Sequence, residues 1–121
     1  MTCNCNCVDE NNVIQFVKGT SANINFSFDE DILSYTGANF GIAKSYDETP
    51  VINKDLSITD NSVEVTLSPD ETNLFTEFLN GKNNAKYIWW LDLIDEVNNI
   101  RVNVFPQTGE PAPLCIVYKH V

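Results

Sequence analysis

Residues 85–95 read AKYIWWLDLID. Tyr87, Trp89, Leu91 and Leu93 fall on one side of this run, and Ile88, Trp90 and Ile94 on the other, with Asp92 among them. A period of two is that of a β-strand, whose successive side chains point to opposite faces. Both faces carry large apolar groups, so a core takes one and something else must cover the second. The adjacent tryptophans make this concrete: one is core, and the other is not in the same core. Either a helix of the same chain covers the face of Ile88, Trp90 and Ile94, or a partner docks there, because exposed apolar aromatic patches mark contact surfaces.

Downstream, Asn98-Asn99 reads as a turn and IRVNVF (100–105) as the hairpin partner. A Pro/Gly loop (107–113) leads to a last strand, LCIVYK (114–119). Upstream the period switches. In SPDETNLFTEFLNG (68–81), Ser68 is an N-cap, Pro69 suits the first helical position and Glu71 completes a capping box. Leu74, Phe75, Phe78 and Leu79 make one apolar stripe, and Asn80-Gly81 stops it. The pattern predicts a short helix over about 69–80. Before it, DLSIT (55–59) and SVEVTL (62–67) flank a tight turn at Asp60-Asn61. ANFGIAKS (38–45) alternates after Thr36-Gly37, which reads as a corner whose glycine supplies unusual backbone angles. NINFSFD (23–29) puts Ile24, Phe26 and Phe28 on one face, and VIQFV (13–17) ends at Lys18-Gly19-Thr20. The first twelve residues, MTCNCNCVDENN, are polar and without period, and read as an arm preceding a single domain over 13–121. Short strands with one helix between two of them predict a mainly β domain, an antiparallel sandwich or barrel with one inserted helix.

The chain has 121 residues, 43% hydrophobic, enough for a core of its own. Its net charge of −10 argues against a nucleic-acid binder, which needs Lys and Arg to displace counterions from phosphates. It also disfavours an anionic membrane surface. The start has neither a basic nor an apolar segment of the secretory kind, so synthesis in a reducing cytoplasm is the expectation, with the four cysteines as thiols or metal ligands before disulfides.

The ordered motifs resemble the N-terminal domain of phage baseplate upper proteins. They are the strand ending in Lys-Gly-Thr (18–20), the aromatic strand (24–28), the element from Leu33 to Ala38 ending in Thr-Gly-Ala, and the hairpin (55–67). The Ser-Pro-x-x-Thr helix start (68–72) and the Tyr-x-Trp-x-Leu strand (87–91) complete the set. The likeness spans about residues 12–118. It implies an immunoglobulin-like antiparallel β-sandwich and a virion structural protein, made in the host bacterial cytoplasm. Such a module docks fibre or receptor-binding components onto a tail baseplate, a neck, a head fibre or a capsid, in trimeric assemblies and without catalysis. Members continue into a stalk and a receptor-binding head. Here the sequence stops at Val121, so a bare attachment module is expected. The resemblance makes Thr36-Gly37 a fold marker and not a site.

Cys3, Cys5 and Cys7 stand at i, i+2, i+4 and would face one side of an extended arm. With Cys115 they could complete four ligands for zinc, although strong zinc patterns use C-x₂-C spacing. Disulfides between subunits, or a plain flexible or partner-bound arm, are the other readings. A dozen extended residues reach about 40 Å. Asp29-Glu30-Asp31 with Asp9-Glu10 could offer oxygens to calcium but lacks a spaced loop, and reads first as a solvated turn. His120 is the sole imidazole; beside Cys115 it makes at most an unsupported catalytic pair, so no enzyme is expected. The interface expected is Ile88, Trp90 and Ile94 with the arm cysteines. The rival functions are a carbohydrate- or protein-binding sandwich using Tyr35, Tyr46 or Trp90 as a stacking platform, and a small metal-binding protein built on the N-terminal cysteines.

Overall fold

A computed structural model describes residues 13–28, 31–76, 78, 82–106 and 112–119. The strands are β1 (Ile14–Val17), β2 (Ala22–Ser27), β3 (Gly37–Ala43), β4 (Ile52–Leu56), β5 (Ile58–Thr59), β6 (Ser62–Leu67), β7 (Asn84–Asp95), β8 (Ile100–Phe105) and β9 (Leu114–Tyr118). A short helix, α1 (Pro69–Thr72), lies between β6 and β7. One sheet runs β1-β9-β7-β3-β4, with β8 beside β7; the other runs β2-β6-β5. β1 pairs parallel with β9, and every other pairing is antiparallel. With β2, β6 and β5 as strands B, E and D, and β4, β3, β7 and β9 as C′, C, F and G, this is the immunoglobulin-like Greek key. The twelve-residue β7 is its spine. β3 lies along one edge, while β9 pairs with residues 84–88 and β8 with residues 91–95 along the other.

The alternation read from the sequence places the core. Ile24 and Phe26 of β2 and Val63, Val65 and Leu67 of β6 face Phe40 and Ile42 of β3, Tyr87, Trp89 and Leu91 of β7 and Val117 of β9; all are at most 2% exposed. Phe26 joins the sheets, its ring centroid 5.5 Å from Trp89, 5.9 Å from Phe105 and 6.2 Å from Phe40. Each such side chain contributes about 1.5–3 kcal/mol on burial.

Three expectations change. The helix spans four residues, not twelve. Its capping box forms as read, but Phe75 turns into the core between Phe16 and Tyr87, with centroids at 5.3 and 4.9 Å, and leaves Leu74 55% exposed. The Lys18 ammonium donates to the Phe75 carbonyl at 2.8 Å, an acceptor that a continuing helix would use itself. Second, the corner before β3 lies at residues 33–35, and Gly37 already belongs to the strand. Its φ is not positive; a Cβ there would meet the Leu56 carbonyl oxygen at 3.0 Å, so close approach explains the glycine. Thr36 is the tie, donating to the Ile94 carbonyl and accepting from the Glu96 amide. Third, residues 55–59 are not one strand. Ile52–Leu56 joins the larger sheet and Ile58–Thr59 the smaller, with Ser57 at the crossing.

The turns follow their chemistry. Asp60 and Asn99 take left-handed backbone angles, φ 52° and 54°, as Asp and Asn do more readily than other residues with a side chain. Asp95 holds the β7–β8 turn by accepting from the Val97 and Asn98 amides and the Asn98 side chain. The Asn98 side-chain bond, and then those two amides, hold the Asp95 carboxyl below its ordinary pKa. Among the described residues, no helix is long and apolar enough to cross a membrane.

Candidate functional site

The outer face of the larger sheet carries an ordered polar row. Register puts Asp55 of β4 opposite Asn39 of β3, Asn39 opposite Asp92 of β7, and Asp92 opposite Asn103 of β8. The next row is Asn53, Gly41 and Trp90. Gly41 is what makes the site. The Trp90 indole lies over it so closely that an added Cβ would sit 1.9 Å from the ring. Held flat, the indole donates its Nε1–H to Asn39 Oδ1 at 2.9 Å. Tyr46, from the loop after β3, leans over it with centroids 6.3 Å apart and planes at 50°.

Asn39, 6% exposed, is the hub. Its amide donates to Asn53 Oδ1 at 2.7 Å and Asp55 Oδ1 at 3.0 Å, while its oxygen accepts from Trp90 and from Arg101 Nη2 at 3.1 Å. Arg101 Nε donates to Asp92 Oδ2 at 2.7 Å, and Asn103 donates to the other oxygen of that carboxylate. Asp92 is 7% exposed, and two donors satisfy its charge. Among the described residues, no buried side-chain polar atom lacks a partner. Partial burial, and then the Asp92 charge, raise the Tyr46 pKa, so the phenol stays protonated at neutral pH. The aromatic pair and the polar rows border an open depression of about 330 Å³. Its groups donate, accept and stack. Hydrogen-bonded networks of this kind, with their buried atoms satisfied, rigidify a surface.

The sequence-predicted residues are distributed unevenly. Trp90 lies in the depression, but its face is neither simply apolar nor covered by α1. Phe75, just after that helix, packs on Phe16 and Tyr87 on the core side. Ile88 and Ile94 are half-buried on the Trp90 face. Of the three aromatics offered as a platform, Tyr46 and Trp90 meet, whereas Tyr35 packs against the core. Cys115 is fully buried in the core cluster. Cys3, Cys5, Cys7 and His120 lie outside the described residues, as do Asp9, Glu10, Asp29 and Glu30 of the acidic cluster. Asp31 accepts from the Leu33 amide. Among the described residues, no three His, Cys, Asp or Glu side chains converge to hold a metal.

Sequence reading missed Asn39, Asn53, Arg101 and Asn103. A signal was present: each stands on the polar side of an alternating run, at even spacing from a partner (39 and 41, 53 and 55, 101 and 103). Which runs adjoin each other depended on a strand order that periodicity does not contain. Comparison with known proteins finds no protein family whose model matches this chain and no curated protein that matches it.

Proposed function

We propose that this chain is a non-catalytic attachment module of a bacteriophage particle, an immunoglobulin-like sandwich that docks fibre or receptor-binding components onto the tail baseplate or another part of the virion. One observation carries the reading. Two motifs of the resemblance, Lys18-Gly19-Thr20 and Ser68-Pro69-x-x-Thr72, interlock. The Gly19 amide donates to Thr72 Oγ1 at 3.0 Å, and that hydroxyl donates to the Thr20 carbonyl at 2.8 Å. The turn takes φ +82° at Gly19, and Thr72 is fully buried. Two motifs 50 residues apart thus meet as one structural unit, so the ordered motifs on which the resemblance rests belong to a single fold.

A docking module also needs surfaces for other chains. Ile100 and Val102 of β8 alternate with Arg101 and Asn103, so they lie on the side away from Trp90, where the three-stranded sheet leaves them 47% and 38% exposed. Val97, at the turn beside them, is 84% exposed. Such a patch suits a neighbouring subunit. The module forms a homotrimer in the virion, after synthesis in the host bacterial cytoplasm.

Light scattering on the purified chain, with and without reductant, tests this. A trimer in both conditions is the expected result. A monomer in both removes the homotrimer. An oligomer that reductant dissolves transfers the role to Cys3, Cys5 and Cys7.

A further inference from the structure

We infer that the depression over Trp90 and Tyr46 binds neutral saccharides. The site stands whether or not the chain is a virion module. Three observations converge on that ligand class.

The first is shape. The indole is pressed onto Gly41, with Tyr46 at 50° to it, so two aromatic rings form an open corner. The C–H faces of a sugar ring carry small positive partial charges and pack on aromatic faces, whose quadrupole is negative. A volume of about 330 Å³ lies at the low end of small-molecule sites, suited to one or two sugar rings.

The second is hydrogen-bonding capacity. Asn53 spends its oxygen on Asn39, and Asn103 spends its amide hydrogen on Asp92. That leaves the Asn53 amide to donate and the Asn103 oxygen to accept. Arg101 uses Nε and Nη2, which leaves Nη1. The Tyr46 hydroxyl, on a residue 53% exposed, makes no hydrogen bond among the described residues. Both donors and acceptors therefore border the aromatic corner, and a sugar's hydroxyls, each donor and acceptor at once, match such a mixture.

The third is charge. Asp92 takes the Arg101 guanidinium at 2.7 Å, and Asp55, exposed beside Asn39 on the next strand, accepts from its amide. No unbalanced positive charge awaits a phosphate or carboxylate, and the whole chain carries −10. Each Asp92 oxygen already accepts a hydrogen bond, one from Arg101 and one from Asn103.

The test is a titration of the ¹⁵N-labelled full chain with maltotriose, cellotriose and chitotriose, and with 3′-sialyllactose as the anionic probe. With at least one neutral trisaccharide, the Trp90 Nε1–H signal and the Asn39, Asn53 and Asn103 amides should shift and saturate, with Kd on the order of 1 mM. Tyr46→Ala, at an exposed loop position, should weaken this tenfold or more while leaving the rest of the spectrum in place. Tyr46→Phe, which keeps the ring, should weaken it less. Several results overturn the inference: no shift with any of the neutral probes, shifts confined to other residues, an equal response from Tyr46→Ala, or tighter binding of sialyllactose. Shifts of the same signals on dilution of the protein, with no response to sugar, make the face a self-association surface and overturn it too.

Discussion

Gly41 shows how one missing side chain shapes the outer face. It lies in β3 with β4 and β7 on either side, and no positive φ demands a glycine there. What demands it is the indole, whose Cζ2 and Cε2 would stand 1.9 and 2.3 Å from a Cβ. Gly41→Ala must therefore lift Trp90 off the sheet and break its bond to Asn39. The core face, with Phe40 and Ile42, is untouched, so the fold survives. Loss of stability by about 1–3 kcal/mol is expected. Urea unfolding measures it, together with displacement of the Trp90 indole N–H resonance. The sequence could not reveal this role, because a glycine inside an alternating run is silent about which neighbour needs the space. The tryptophan pair was legible: Trp89 is core and Trp90 is not, as the period of two requires.

At the level of elements, α1 is small and tightly tied. Its start was fully legible, since capping is local chemistry: the Ser68 hydroxyl accepts from the Glu71 amide and the Glu71 carboxylate from the Ser68 amide. Its end was not, because Lys18 and the Phe16–Tyr87 slot act from far along the chain. Thr72→Val keeps the shape but leaves the Gly19 amide and the Thr20 carbonyl without their partner in a partly buried place. A cost of about 2–3 kcal/mol in urea unfolding is expected, against about 1 kcal/mol for Ser68→Ala. Glu71 adds a pH signature. The Ser68 amide first, and then Lys54, whose ammonium is 2.9 Å away, hold its carboxyl below the ordinary glutamate range. A carboxyl with a depressed folded pKa stabilises the fold above its unfolded pKa, and that contribution is lost as pH falls through the folded one. Glu71→Gln should therefore be about 0.5 kcal/mol less stable than the parent at neutral pH. The gap should stay level down to about pH 5 and close below it, as the parent's carboxyl protonates. Urea midpoints of the two proteins across that range test the sign.

For the whole molecule, the period-two runs predicted the two-sheet core. They could not predict that β1 would pair parallel with β9, or that the chain would change sheets at Ser57, since both depend on long-range closure. The same closure creates two unlike faces on the β8 hairpin. Arg101 and Asn103 join the polar rows beside Trp90, and Ile100 and Val102 are left exposed on the other side. A trimer built through the second face should be sensitive there and indifferent at the first. Ile100→Asp places a carboxylate in each copy of that contact, where it is desolvated and repelled by its neighbours. Because Ile100 is 47% exposed within one chain, the substitution costs the isolated fold little. Light scattering should then give the mass of a single chain, with an unchanged near-ultraviolet dichroism spectrum. Tyr46→Ala should remain a trimer. If Ile100→Asp remains trimeric while Tyr46→Ala dissociates, the subunits meet through the Trp90 face instead.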